Sequence, residues 1–69
     1  MPVDKLIYMV NQIIRNLATR GDDEAVTATT EHLRLFWDPR MRREILAHID
    51  AGGTGLEPLA LRAVDGLRA

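Results

Sequence analysis

The side chains that could carry chemistry in this sequence are few, and their spacing does not favour a catalytic site. The chain has no Ser and no Cys, which are the commonest nucleophiles, and no Thr stands at its N-terminus, where a Thr nucleophile could use its own amine. His32 and His48 fall on different predicted helices, whereas a zinc site wants closer ligand spacing or more His and Cys. We therefore predict that both histidines are surface or half-buried helix residues, and that this chain has no catalytic, cofactor-binding or metal-binding residue.

Two further patterns resemble chemical motifs only superficially. Glu44 and His48 are four residues apart on one predicted helix, which usually means a modest local contact. The Gly-Gly-Thr-Gly segment at residues 52–55 lacks the Lys and the Ser or Thr that a Walker phosphate loop requires. Pro58 stands where the dinucleotide-binding fingerprint needs its third glycine. We expect the segment to end a helix and to act as a hinge.

Arginines cluster around the middle of the chain, at Arg34, Arg40, Arg42 and Arg43. An arginine-bearing third helix invites a DNA-binding interpretation. A solvated face or protein contacts are favoured instead, because acidic residues are interleaved with the arginines. The formal net charge of −1 also provides no overall basic field to attract nucleic acid. A small helical DNA-binding or regulatory module is kept as the alternative function.

The 69 residues allow one domain, which we expect to span residues 1–69. With 46% hydrophobic and 28% charged residues the chain is globular, but a domain of this size is only marginally stable. Small domains usually add disulfides, a metal or a partner, and the absence of Cys removes the first option. No apolar run could span a bilayer and no secretory signal is evident, so we expect a cytoplasmic chain that relies on a partner.

The hydrophobic periodicity predicts an all-α fold, a small bundle of four short helices with orthogonal or irregular packing. Asp38-Pro39 is a helix-start signal, because Asp can cap the first turn and Pro has no N–H to lose there. The only Phe and the only Trp, Phe36 and Trp37, precede it and are expected on the core stripe of the second helix. The predicted helices run over residues 4–19, from 22 to the aromatic pair, over 39–51, and from about 58 onward.

Four residues lie on the wrong face of these helices. Tyr8, Leu35 and Leu61 are apolar and lie opposite the core stripes, which favours a partner surface in so small a domain. Arg42 is the reverse case, because it falls among apolar residues of the third helix. It is expected either to extend its charged head into water or to pair with a carboxylate, on this chain or on another.

Three blocks of sequence resemble the delta subunit of cytoplasmic NAD-dependent formate dehydrogenases. They are residues 9–13 (Met-Val-Asn-Gln-Ile), residues 32–42 (His-Leu-Arg-Leu-Phe-Trp-Asp-Pro-Arg-Met-Arg) and residues 55–60 (Gly-Leu-Glu-Pro-Leu-Ala). The central block is the most specific, and the resemblance covers nearly the whole chain. One departure is Glu57, where a small capping residue is expected, so the start of the fourth helix should be looser.

The resemblance implies a hetero-oligomeric complex in which this chain is a non-catalytic accessory subunit. A catalytic (alpha) subunit would oxidise formate to carbon dioxide with a molybdenum or tungsten pterin and iron–sulfur clusters. Other subunits would carry FMN and reduce NAD, and this chain would bind no cofactor. A transient maturation factor that hands cofactor to the large subunit is a weaker possibility.

We expect the chain to dock on the catalytic subunit and to stabilise it or help to assemble it, without nucleic acid or membrane as partner. The off-stripe geometry and the central block predict the docking residues. Trp37 is included although base rates favour a core position for it. The predicted partner-binding residues are Tyr8, Leu35, Trp37, Arg40 and Arg42.

Overall fold

Four α-helices make up the bundle. The structure is a computed structural model that describes residues 2–68, and no β-strand occurs within that range. The all-α prediction is therefore confirmed. The helices are α1 (Val3–Leu17), α2 (Asp22–Phe36), α3 (Pro39–Asp50) and α4 (Pro58–Asp65), with 3₁₀ turns at Ala18–Arg20 and Gly66–Arg68.

The turn between α2 and α3 follows the predicted capping chemistry. Asp38 is the N-cap of α3, and its Oδ1 accepts a hydrogen bond of 2.8 Å from the backbone N–H of Met41. Pro39 occupies the first helical position. Trp37 lies between the two helices in an extended conformation, so the chain passes from one helix to the next within two residues.

The glycine segment ends α3, as predicted. The N–H of Gly52 donates to the carbonyl of Ile49, and the N–H of Gly53 donates to that of His48, both at 2.9 Å. This pair of bonds is the Schellman arrangement, and Gly52, the first residue after the C-cap, has the positive φ that it requires. A Cβ atom on Gly53 would lie only 2.6 Å from Cδ2 of Leu61, so Leu61 packs against the end of α3.

The core lies where the four helices meet. Trp37 and Leu56 come from the connections and the other members from the helices. The placement of Leu61 corrects the sequence interpretation, because it is half-buried against this core rather than on an outer face. The buried cluster comprises Leu6, Val10, Ile14, Ala25, Leu33, Trp37, Ile45, Leu56, Ala60 and Val64.

Phe36 is the second correction, because its side chain is 72% exposed although periodicity placed it on the core stripe. Phe36 is the last residue of α2, and its ring stacks on His32, one turn earlier, rather than entering the core. Periodicity assigns a residue to a side of its helix, but it does not say how far the neighbouring elements extend along that side.

α2 and α4 form the most extensive contact in the bundle. The Thr30 hydroxyl donates to the carbonyl of Ala63 at 2.7 Å and also lies 3.0 Å from the carbonyl of Val26. Gly66 permits the close approach, because a Cβ there would lie 2.9 Å from Thr30 Oγ1. The neighbouring Thr29 is fully buried, and its hydroxyl has no hydrogen-bond partner among the described residues.

Asn11 fastens the start of α4 to α1. Its Nδ2 donates to the carbonyl of Gly55 at 2.9 Å, and its Oδ1 accepts from the N–H of Glu57 at 3.0 Å. Glu57 is the N-cap of α4 and makes no side-chain cap, as expected for Glu at this position. The amide of Asn11 therefore holds the chain on both sides of Leu56, whose side chain enters the core.

Candidate interaction surface

Large apolar side chains are exposed at two places on α1 and α2. Tyr8 on α1 is 63% exposed, and Leu35 and Phe36 at the end of α2 are each 72% exposed. The predicted exposure of Tyr8 and Leu35 agrees with the structure. Phe36 was missed as a surface residue, and only its position at the very end of a helix could have indicated it.

The exposed side chains of His32, Leu35 and Phe36 form a continuous patch on the last turn of α2, which we call the α2 tip. The rings of His32 and Phe36 have centroids 4.8 Å apart and are tilted by 43°. Residues three and four apart lie on one side of a helix, so His32 neighbours both Leu35 and Phe36. The α2 tip therefore presents an aromatic pair and an aliphatic side chain to solvent.

Trp37 lies in the core, with only 4% of its surface exposed. This is the core position that is usual for Trp, and not the docking face that the central block predicts. Its side chain packs with the buried cluster, and its backbone carbonyl faces α3 and accepts a hydrogen bond there. Its visible role is to anchor the turn between α2 and α3.

Arg42 caps α2, a role that neither sequence interpretation of this residue included. Its Nη1 donates to the carbonyl of Arg34 at 2.9 Å and to that of Trp37 at 3.0 Å. The last carbonyls of a helix have no intrahelical partner, and a cation near them also complements the helix dipole. The half-buried Arg42 is therefore engaged with the backbone of its own chain, and it forms no ion pair with a carboxylate within residues 2–68.

The other arginines of the cluster differ in how they are engaged. Arg34 donates to Glu31 at 2.9 Å and to the carbonyl of Gly66 at 3.0 Å. The Nε of Arg40 lies 3.6 Å from Glu44, and 78% of the Arg40 side chain is exposed. Arg43 is exposed and has no carboxylate partner within residues 2–68. Two of the four arginines thus stabilise helix ends, and the other two project outward.

Ion pairs elsewhere on the surface connect different elements of the bundle, most of them distant in the chain. Such exposed pairs contribute little to stability individually. Hydrogen bonds from Arg68 to Asp50, and then to Asp65, raise the pKa of the Arg68 guanidinium. The pairs are Arg15 with Glu57, Arg62 with Asp23 at 2.8 Å, and Arg68 with Asp50 at 2.5 Å and Asp65 at 2.8 Å.

The residues singled out for chemistry do not converge. Glu44 and His48 line one shallow depression of about 410 Å³, but their polar contacts diverge, because Glu44 faces Arg40 and His48 Nε2 lies 2.7 Å from the carbonyl of Thr54. Within residues 2–68, no group of three or more His, Asp or Glu side chains is placed to hold a metal ion. None of the described helices has the length and apolar character needed to cross a membrane.

The model of one protein family matches the chain. That family is described as the NADH-dependent formate dehydrogenase delta subunit, FdsD, and the match covers residues 5–64. The matched region contains all four helices except the first two residues of α1 and the last residue of α4. Searches of curated proteins and of solved structures found no match to the chain.

Proposed function

Because the chain belongs to the NADH-dependent formate dehydrogenase delta subunit family, we propose that it is a non-catalytic accessory subunit of such a complex. It docks on the catalytic (alpha) subunit, which oxidises formate to carbon dioxide, and stabilises that subunit or helps to assemble it. The observation that carries the proposal is the family match over residues 5–64. The divergent His and Glu contacts are consistent with a structural rather than a chemical role.

The surface supports a docking role for this small chain. Exposed apolar patches rimmed by polar residues are typical of protein interaction sites. The α2 tip has this character, with Leu35 and Phe36 largely exposed beside His32. Tyr8, Leu35 and Arg40 stay proposed contacts, whereas Trp37 and Arg42 support docking through the fold of the turn that they hold.

The cofactors of the reaction belong to the other subunits in this proposal. A molybdenum or tungsten pterin and iron–sulfur clusters are placed on the catalytic subunit, and FMN and the NAD site on its companions. The complex is a cytoplasmic hetero-oligomer. The engagement of Arg34 and Arg42 with backbone carbonyls leaves fewer cations free for nucleic acid than the sequence suggested, which weighs against the DNA-binding alternative.

The test is a pull-down of the tagged chain from native extract at high salt, with the retained proteins identified and their stoichiometry counted. A true subunit retains the catalytic formate dehydrogenase subunit in equal amount. A transient maturation factor retains it in much smaller amount, and only from cells that are still assembling the enzyme. Retention of nucleic acid at low salt and of no protein at high salt would contradict the proposal.

A further inference from the structure

We infer that the α2 tip, together with Arg40 and Arg43, inserts into an apolar pocket rimmed by carboxylates on the catalytic subunit. The inference rests on the proposed function and deepens it, because it names the docking surface and the chemistry of the surface that receives it. It departs from the sequence interpretation by adding Phe36 and Arg43 and by assigning Trp37 to the core.

Exposed apolar side chains are concentrated at the end of α2. Leu35 and Phe36 are adjacent and each is 72% exposed, whereas Tyr8 is the only large exposed apolar side chain on α1 within the described residues. Single exposed apolar residues are ordinary, but adjacent ones make a patch with an energetic reason to be covered. Interfaces typically bury such aromatic anchors at their centre.

Cationic side chains are concentrated beside the α2 tip, around the turn between α2 and α3. Residues 31–44 hold four arginines and three carboxylates, while the rest of the chain holds two more acidic than basic residues. Asp38 caps α3 and Glu31 pairs with Arg34, so both carboxylates are already engaged. The cations that project outward at this end are Arg40, loosely paired at 3.6 Å, and Arg43.

Arg40 and Arg43 lie close to the α2 tip along the chain. Arg40 follows Phe36 by four residues, so their Cα atoms lie at most about 14 Å apart. Arg43 follows Arg40 by three residues on α3 and shares its side of that helix. An apolar centre with a cationic edge is complementary to an apolar pocket with carboxylates at its rim.

The apolar centre is tested in the intact complex. The chain is co-expressed with the other subunits, the complex is purified through a tag on the catalytic subunit, and the ratio of the two chains is measured. The double variant Leu35→Ser/Phe36→Ser should lower this ratio at least tenfold. Asn16→Ala/Thr19→Ala is the control, because it shortens two exposed side chains at the end of α1 and in the following 3₁₀ turn, away from the α2 tip, and should leave the ratio at the wild-type value.

The carboxylate rim is tested by charge reversal. Arg43→Glu should release the chain at a salt concentration at which the wild-type complex is intact. Arg20→Glu is the control, because Arg20 is an exposed arginine of the 3₁₀ turn at the opposite end of α2 and should behave as wild type. Circular dichroism of each free variant, compared with free wild type, separates lost docking from lost folding.

Three results have distinct meanings. Full retention of a folded Leu35→Ser/Phe36→Ser variant overturns the inference while leaving the proposed function intact. Equal behaviour of Arg43→Glu and Arg20→Glu also overturns it, because the rim would then not be acidic. Failure of the wild-type chain to purify with the catalytic subunit removes the proposed function itself, and the inference with it.

Discussion

The hydroxyl of Thr30 lies 2.7 Å from the carbonyl oxygen of Ala63 and joins α2 to α4 inside the core. Ala63 lies in the last turn of the eight-residue α4, where carbonyls have no later helical N–H to accept from. The bond therefore satisfies a buried acceptor that the helix itself leaves open. Gly66 lies beside this bond, because a Cβ atom built there would meet the Thr30 side chain.

Replacing Thr30 by Val should lower the free energy of unfolding by about 1–3 kcal/mol, because it leaves the buried carbonyl of Ala63 without a donor. Val has nearly the same shape as Thr, so packing changes little. Urea denaturation of the purified chain, followed by the far-ultraviolet circular dichroism of its helices, measures the change. An unchanged transition midpoint would mean that water replaces the hydroxyl.

Thr29→Val, one residue away, should change stability in the opposite direction. The Thr29 hydroxyl is buried without a partner among the described residues, so its removal relieves a desolvation penalty. We expect the free energy of unfolding to rise by about 1 kcal/mol. The same denaturation measurement should thus move in opposite directions for two neighbouring Thr→Val substitutions, and a loss of stability in both would contradict the assignment.

Gly66→Ala should destabilise the chain by about 1–3 kcal/mol, although Ala favours helical conformation over Gly. The new Cβ would lie 2.9 Å from Thr30 Oγ1 and 3.1 Å from Thr30 Cγ2. The measurement is a thermal unfolding series that includes Thr30→Ala and the double variant. Removing both Thr30 atoms should make the Gly66→Ala change less harmful, and strict additivity would show that no clash occurs.

Asn11→Ala should loosen the start of α4, because it removes the donor to Gly55 and the acceptor for Glu57. The expected loss of stability is about 1–2 kcal/mol. Asn11→Asp keeps the acceptor and loses the donor, so it should be intermediate in hydrogen exchange. Hydrogen exchange of the Glu57 amide should be faster in Asn11→Ala than in Asn11→Asp. Equal exchange rates in the wild type and both variants would show that the Asn11 hydrogen bonds do not hold the start of α4.

Arg42→Ala and Arg40→Ala should differ in their effect on the stability of the fold. Arg42→Ala removes two bonds to the end of α2 and should lower the free energy of unfolding by about 1–2 kcal/mol. Arg40→Ala removes a loose, exposed ion pair and should change stability by less than about 0.5 kcal/mol. Thermal unfolding checks both, and equal destabilisation by the two substitutions would contradict the capping role of Arg42.

Much of the fold could be predicted from the sequence because its signals are local. Asp38 and Pro39 begin α3, and Gly52 and Gly53 end it, through backbone chemistry confined to a few neighbouring residues. The resemblance to the delta subunit family, carried mainly by residues 32–42, is confirmed by the family match.

The surroundings of individual side chains could not be predicted, because they depend on how the helices approach one another. Hydrophobic periodicity within one helix contains no information about that approach. Arg42 was placed on an apolar face correctly, but its partners are carbonyls at the end of another helix. Leu61 was placed opposite the stripe of its own helix, yet Gly53 offers it a surface on α3. The exposure of Phe36 likewise reflects where the neighbouring helices stop. The predicted partner-binding role of Tyr8, Leu35 and Arg40 stays a prediction.

The burial of Trp37 also makes this chain its own optical reporter. It is the only Trp in the sequence, and it lies in the core directly after Phe36, the last residue of the α2 tip. Its fluorescence emission should lie at short wavelength in the folded free chain and shift toward the red on unfolding. A variant of Leu35 or Phe36 that keeps the short-wavelength emission therefore retains its core, so the free chain can be checked in seconds before any complex is purified.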